Sequence, residues 1–103
     1  MAKFGSGEVM GAEVIPATPK IAQEYGYRNL DTGLIVTEIR DGSIADRDGL
    51  EVGDVLESAA GRELTSAQQL NLILEYAREQ NQIVRIQVRR GNKRMLMVVR
   101  DQG

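Results

Sequence analysis

Residues 83–99, IVRIQVRRGNKRMLMVV, restrict the fold more than any other stretch of the chain. Ile83, Arg85, Gln87 and Arg89 alternate with Val84, Ile86 and Val88, the period-two pattern of a strand with one wet and one core-facing side. Lys93 to Val99 reads as a second strand, and Gly91-Asn92 between them is the two-residue connection of a tight hairpin. An antiparallel pair therefore closes the chain.

The remaining segments fit round that pair. Thr65-Ser66-Ala67-Gln68 has the capping-box pattern, a hydroxyl followed three residues later by Gln, and it precedes Leu70, Ile73, Leu74 and Ala77 at helical spacing. A helix over 66–79 follows. Leu34 to Ile39, nearly continuous in apolar and β-branched residues, reads as a central strand. Val9 to Ile15 is expected to be one short strand ending at Pro16, which offers no backbone donor. Thr18 caps a helix from Pro19 to Tyr25, Ser43 caps a single turn from Ile44 to Asp48, and Asp54 to Ser58 is a further strand. A tight turn at 59–62 follows it. The order strand, short helix, strand, single turn, strand, long helix, strand, strand gives an α+β fold: a small, mostly antiparallel sheet or open barrel flanked by two helices. It lacks the βαβ alternation that places a nucleotide at a parallel sheet's switch point.

The 103 residues make one domain, and they include no His and no Cys. That removes the Ser-His-Asp triad, the Cys-His pair and every imidazole or thiolate metal site. No catalytic residue, metal ligand or cofactor is expected, and the chain reads as a binding domain. Asp54 has no titratable partner close in sequence and is read as a turn cap. Net charge is −2, yet Arg85, Arg89, Arg90, Lys93, Arg94 and Arg100 crowd one region without acids. Lacking interleaved aromatics, this reads as a solvated hairpin rather than a nucleic-acid surface, and no apolar run suits a membrane span. Residues 1–8 read as a linker or appended start, 9–100 as the domain and 101–103 as a tail.

GSIADRDGLEVGDVLESAAGRELTSAQQL, from Gly42 on, resembles the middle of a PDZ domain, whose usual wording is close to G-S-P-A-x-x-A-G-L-x-x-G-D. Gly42, Ser43, Ala45, Gly49, Leu50, Gly53, Asp54 and Gly61 match; Ile44 replaces the usual Pro, and Ala59-Ala60 stands where Val-Asn is common, leaving Gly61 to supply the positive φ of the turn. The upstream Thr18-Pro19 helix and Leu34-Ile35-Val36 are similar to the form found in bacterial HtrA/Deg envelope serine proteases.

The resemblance implies capture of carboxy-terminal peptides by β-augmentation, the ligand adding as a strand between a sheet edge and the long helix. It places a carboxylate-binding loop at Val9, Met10, Gly11 and Ala12, an edge strand at Ala12, Glu13 and Val14 extending toward Ile15, and an apolar pocket lined by Met10, Ala12 and the helix residues Leu70 with Ile73 or Leu74. Ser66 and Asn71 are further candidates for ligand contact. Backbone amides at residues 10–12 would form an anion-binding nest. One buried aliphatic side chain and a few strand hydrogen bonds suggest binding on the order of −7 to −8 kcal/mol, in the micromolar range. Implied partners are carboxy-terminal or extended peptides of substrates or regulators, with contacts to other domains or subunits of a parent protease, in the periplasm or cell envelope. Two alternatives remain: an oligomer-assembly PDZ domain with a degenerate groove, favoured by the small Val9 and Ala12, and a PDZ domain of a membrane metalloprotease or secretion-system component.

Overall fold

The computed structural model describes residues 4–100. Their strands are β1 (Gly7–Val9), β2 (Ala12–Pro16), β3 (Leu34–Ile39), β4 (Val55–Ala59), β5 (Arg62–Glu63), β6 (Val84–Arg90) and β7 (Lys93–Val99). The helices are α1 (Pro19–Glu24), α2 (Ile44–Arg47) and α3 (Ala67–Glu79). Every pairing between these strands is antiparallel, and the sheet runs β1-β2-β3-β4-β6-β7 with β5 branching from β4. It is an open sheet, not a closed barrel.

The closing hairpin forms in the expected register, Arg90 opposite Lys93 and Val84 opposite Val99, with Val84, Ile86 and Val88 buried. Leu70 of α3 has no exposed surface and joins Val14, Leu34, Val36, Leu56 and Ile86 in the main core. Each such side chain contributes about 1.5–3 kcal/mol by burial. A smaller cluster beneath α1 holds Ala22, Tyr27, Ile35 and Val55.

Four local expectations shift. The single strand over 9–15 is instead a hairpin: β1 runs into the two-residue turn Met10-Gly11 and returns as β2. Met10 at φ 57° and Gly11 at φ 84° both occupy the left-handed region, as a tight turn matched to strand twist requires. The domain boundary placed at residue 9 accordingly falls inside β1, with Gly7 and Glu8 already in the sheet; the tail at 101–103 and the first three residues lie outside the described residues. The cap of α3 is Ser66, not Thr65: the Gln69 amide donates to Ser66 Oγ at 3.0 Å, while Gln69 Oε1 accepts from the Thr65 amide at 2.7 Å. Half of a capping box is thus present, one residue later than expected: the cap hydroxyl takes the Gln69 amide, but the Gln69 side chain reaches back to the Thr65 amide rather than to that of the cap. Finally, Gly61 does not turn the chain alone, because Ala60 also adopts a positive φ of 52°.

Candidate functional site

The edge of β2 and the side of α3 form the two walls of the expected groove, and β1 lies between them. Gly7 stands opposite Val14, Glu8 opposite Glu13, and Val9 opposite Ala12, so the edge of β2 is already paired. The helix wall holds the same segment from the other side. The Ala67 amide, one of the unsatisfied donors of the first turn of α3, donates to Gly5 O at 2.8 Å, and Asn71 Nδ2 donates to Glu8 O at 3.0 Å.

Strand alternation decides where the β1 side chains go. Val9 points inward and is 1 % exposed, in the same cluster as Ala12 and Leu70. A Cβ placed on Gly7 would lie 3.1 Å from Ala67 Cβ, so only the smallest residue passes the helix without adjustment. Glu8 points outward, paired with Arg40 just beyond β3, but it also faces Glu13, which in turn faces Glu38. Three carboxylates thus stand side by side across β1, β2 and β3, an arrangement that weakens the outer strand.

The expected carboxylate loop is the turn that ends β1. Its carbonyls are anchored, Met10 O accepting from the Ala45 amide and Gly11 O from the Arg40 amide, each at 2.9 Å. Gly11 packs so closely on Ser43 that a Cβ there would overlap Ser43 Cβ and lie 2.8 Å from its Oγ. Glycine is required twice at this position, for φ and for space.

The structure brings together Val9, Met10, Gly11, Ala12, Glu13, Val14, Leu70 and Asn71, and separates Ile73 from Leu74. Leu74 lines a cavity of about 300 Å³ with Met10, Asn71 and Val99. Ile73 lines an open cleft of about 680 Å³ on another side of α3, with Ala60, Leu72, Tyr76 and Val84. Ser66 caps the helix. Sequence reasoning missed Glu8, Arg40 and Ala67. The signal was present: Gly7-Glu8-Val9 and Ala12-Glu13-Val14 repeat one inward-outward-inward pattern about Met10-Gly11, as a short hairpin does.

Away from the cleft, Asp54 is buried at 1 % exposure and has a partner that sequence proximity hid. Arg90 grips it with two bonds of 2.8 Å, Nε to Oδ1 and a terminal nitrogen to Oδ2, while the Glu51 amide donates to Oδ2 at 2.9 Å. The hydrogen bond to Asp54 raises the Arg90 pKa further above its ordinary value, against the opposing effect of burial. The pair ties the Gly53-Asp54 turn to the closing hairpin. Tyr27 reinforces it, its hydroxyl donating to Gly53 O at 2.7 Å and accepting from the Gly91 amide at 3.2 Å, with the Arg89 guanidinium over the ring. In the same stretch Leu50 and Val55 are buried and Val52 is exposed. No cluster of metal-ligating side chains occurs among the described residues.

A sequence model of the PDZ domain matches residues 35–90, more than half of the chain, and the protein belongs to the PDZ family. Among solved structures, it is similar to the PDZ domain of HtrA3 bound to a phage-derived ligand, FGRWV, at 24% identity and TM-score 0.69, over 92% of this chain and 85% of that one. It is also similar to the HtrA-type protease AlgW with a decapeptide, at 24% identity and TM-score 0.70, where it spans 92% of itself but 29% of the AlgW chain. A PDZ domain of EpsC from Vibrio cholerae matches at 16% identity and TM-score 0.60, covering 92% of this chain and all of that fragment. No curated protein matches the sequence. These likenesses establish a shared fold.

Proposed function

We propose that this domain captures the carboxy-terminal segment of a protein as an added strand between β2 and α3, as the regulatory or substrate-recognition part of an HtrA-like serine protease in the cell envelope. One observation carries the reading: β1 already occupies that space, antiparallel to β2, bonded to Ala67 and Asn71 of α3, with Val9 buried beside the Met10-Gly11 loop. The cleft accepts a strand, and its end takes a β-branched aliphatic side chain. The peptide ligands named for HtrA3 and AlgW support the same use.

A ligand entering this cleft exchanges with β1. Its apparent affinity is then the intrinsic value reduced by the fraction of molecules in which β1 has left. The loop amides that serve the turn become available for a carboxylate when the strand is exchanged.

The filled cleft also favours a second reading, an assembly domain whose groove is permanently closed. Calorimetric titration with the pentapeptide Phe-Gly-Arg-Trp-Val, as free acid and as amide, separates them. Peptide capture predicts saturable binding of the acid and at least about tenfold weaker binding of the amide. Equal binding of both, or none at millimolar concentration, rules out the carboxylate mechanism.

A further inference from the structure

We propose that Gly5–Val9 is an intramolecular ligand that gates the cleft, a latch built to be released. The inference rests on the peptide-capture reading above and adds how that site is regulated.

The latch is specific because it is held at every point a peptide would use. Its main chain adds to β2, its carbonyls at Gly5 and Glu8 take the donors of Ala67 and Asn71, and Val9 is buried by the loop. It is also weak by construction. Its strand has three residues, lies at the sheet edge, and contributes one buried aliphatic anchor. Glu8 sets a negative charge opposite Glu13, and the Arg40 pair that offsets it is solvent-exposed and therefore worth little. Gly7, which faces Ala67 of α3, has a flexible backbone and no side-chain contact to lose. The two-residue turn keeps the released segment close, so rebinding is intramolecular and a free peptide competes against a high effective concentration.

Two substitutions in the full chain move the latch in opposite directions. Gly7→Val adds side-chain carbons where even a Cβ meets Ala67 at 3.1 Å, and on this account it loosens β1 from the cleft. Glu13→Lys, at an exposed position, turns the repulsion with Glu8 into attraction and holds β1 more firmly. Phe-Gly-Arg-Trp-Val is a suitable probe because the residue next to its carboxy-terminal Val, the one expected opposite Glu13, is uncharged. Relative to the unmodified chain, Gly7→Val should bind it about fivefold tighter or more, with faster amide exchange at positions 7 and 9, the two whose register puts them in the β1–β2 ladder. Glu13→Lys should bind it about two- to fivefold more weakly. If Gly7→Val frees the β1 amides without a gain in affinity, or Glu13→Lys leaves affinity unchanged, the latch is refuted while peptide capture stands. Absence of binding to all three proteins refutes peptide capture itself, and the latch with it.

Discussion

Replacing Gly11 by Ala tests whether the loop at the end of the cleft is as constrained as its geometry implies. Two costs arise separately. At φ 84° an L side chain is disfavoured by about 1–2 kcal/mol. The new methyl also overlaps Ser43 Cβ, and because Ser43 heads α2 and Gly11 O is fixed by the Arg40 amide, relief needs backbone movement costing about 1–3 kcal/mol. The total, about 2–5 kcal/mol, is a large share of the about 5–15 kcal/mol that stabilises a domain. Urea unfolding reads it directly, and Tm should fall by at least about 8 °C. Ser43→Gly divides the two terms: alone it costs a few tenths of a kcal/mol, since glycine is tolerated at an N-cap even though the Asp46 amide loses its acceptor, but combined with Gly11→Ala it should recover the overlap and leave the dihedral cost. A Gly11→Ala protein within about 0.5 kcal/mol of the parent, or a double variant with no recovery, would refute the reasoning.

Two other substitutions probe the frame that carries the cleft. Arg90→Met leaves Asp54 buried with the Glu51 amide as its remaining hydrogen-bond donor and should cost about 3 kcal/mol by chemical denaturation. Because the Arg90 pKa is raised in the folded state, its contribution is complete below the unfolded value and is lost only as pH climbs through the folded one, so the loss should be constant from about pH 6 to about pH 10. Tyr27→Phe strands Gly53 O and the Gly91 amide, which predicts about 1–2 kcal/mol of destabilisation and faster hydrogen exchange at Gly91.

The closing hairpin was legible in its turn and register because its alternation and its Gly-Asn turn agree, with β6 starting at Val84 rather than Ile83, and β3 because its apolar run has no competing period. The family wording round Gly49, Gly53 and Asp54 located the right fold, although those residues serve turns and an ion pair rather than the cleft. Arg90 stayed invisible as the partner of Asp54 because the two are brought together only by pairing of β4 with β6. The cleft was half legible. The residues named from β2 and α3 lie on either side of β1, but nothing in a strand read in isolation says that the preceding Gly7-Glu8-Val9 folds back between them. Met10 obscured the hairpin, since a turn with two positive φ angles usually advertises itself by Asn or Asp at its first position. Ile73 and Leu74 are adjacent at helical spacing, and only the position of the Met10-Gly11 turn decides which of them reaches the cleft.

The central claim is that the space between β2 and α3, now filled by β1, is where a peptide binds. Isotope-detected NMR titration of the whole chain with Phe-Gly-Arg-Trp-Val tests it most directly. Peptide capture predicts shifts at Gly7–Ala12, Val14, Ala67 and Asn71, loss of exchange protection in β1 as the peptide saturates, and retained protection in β2. Shifts confined to the Ile73–Tyr76 cleft or to β7, with β1 still protected at saturation, would contradict it.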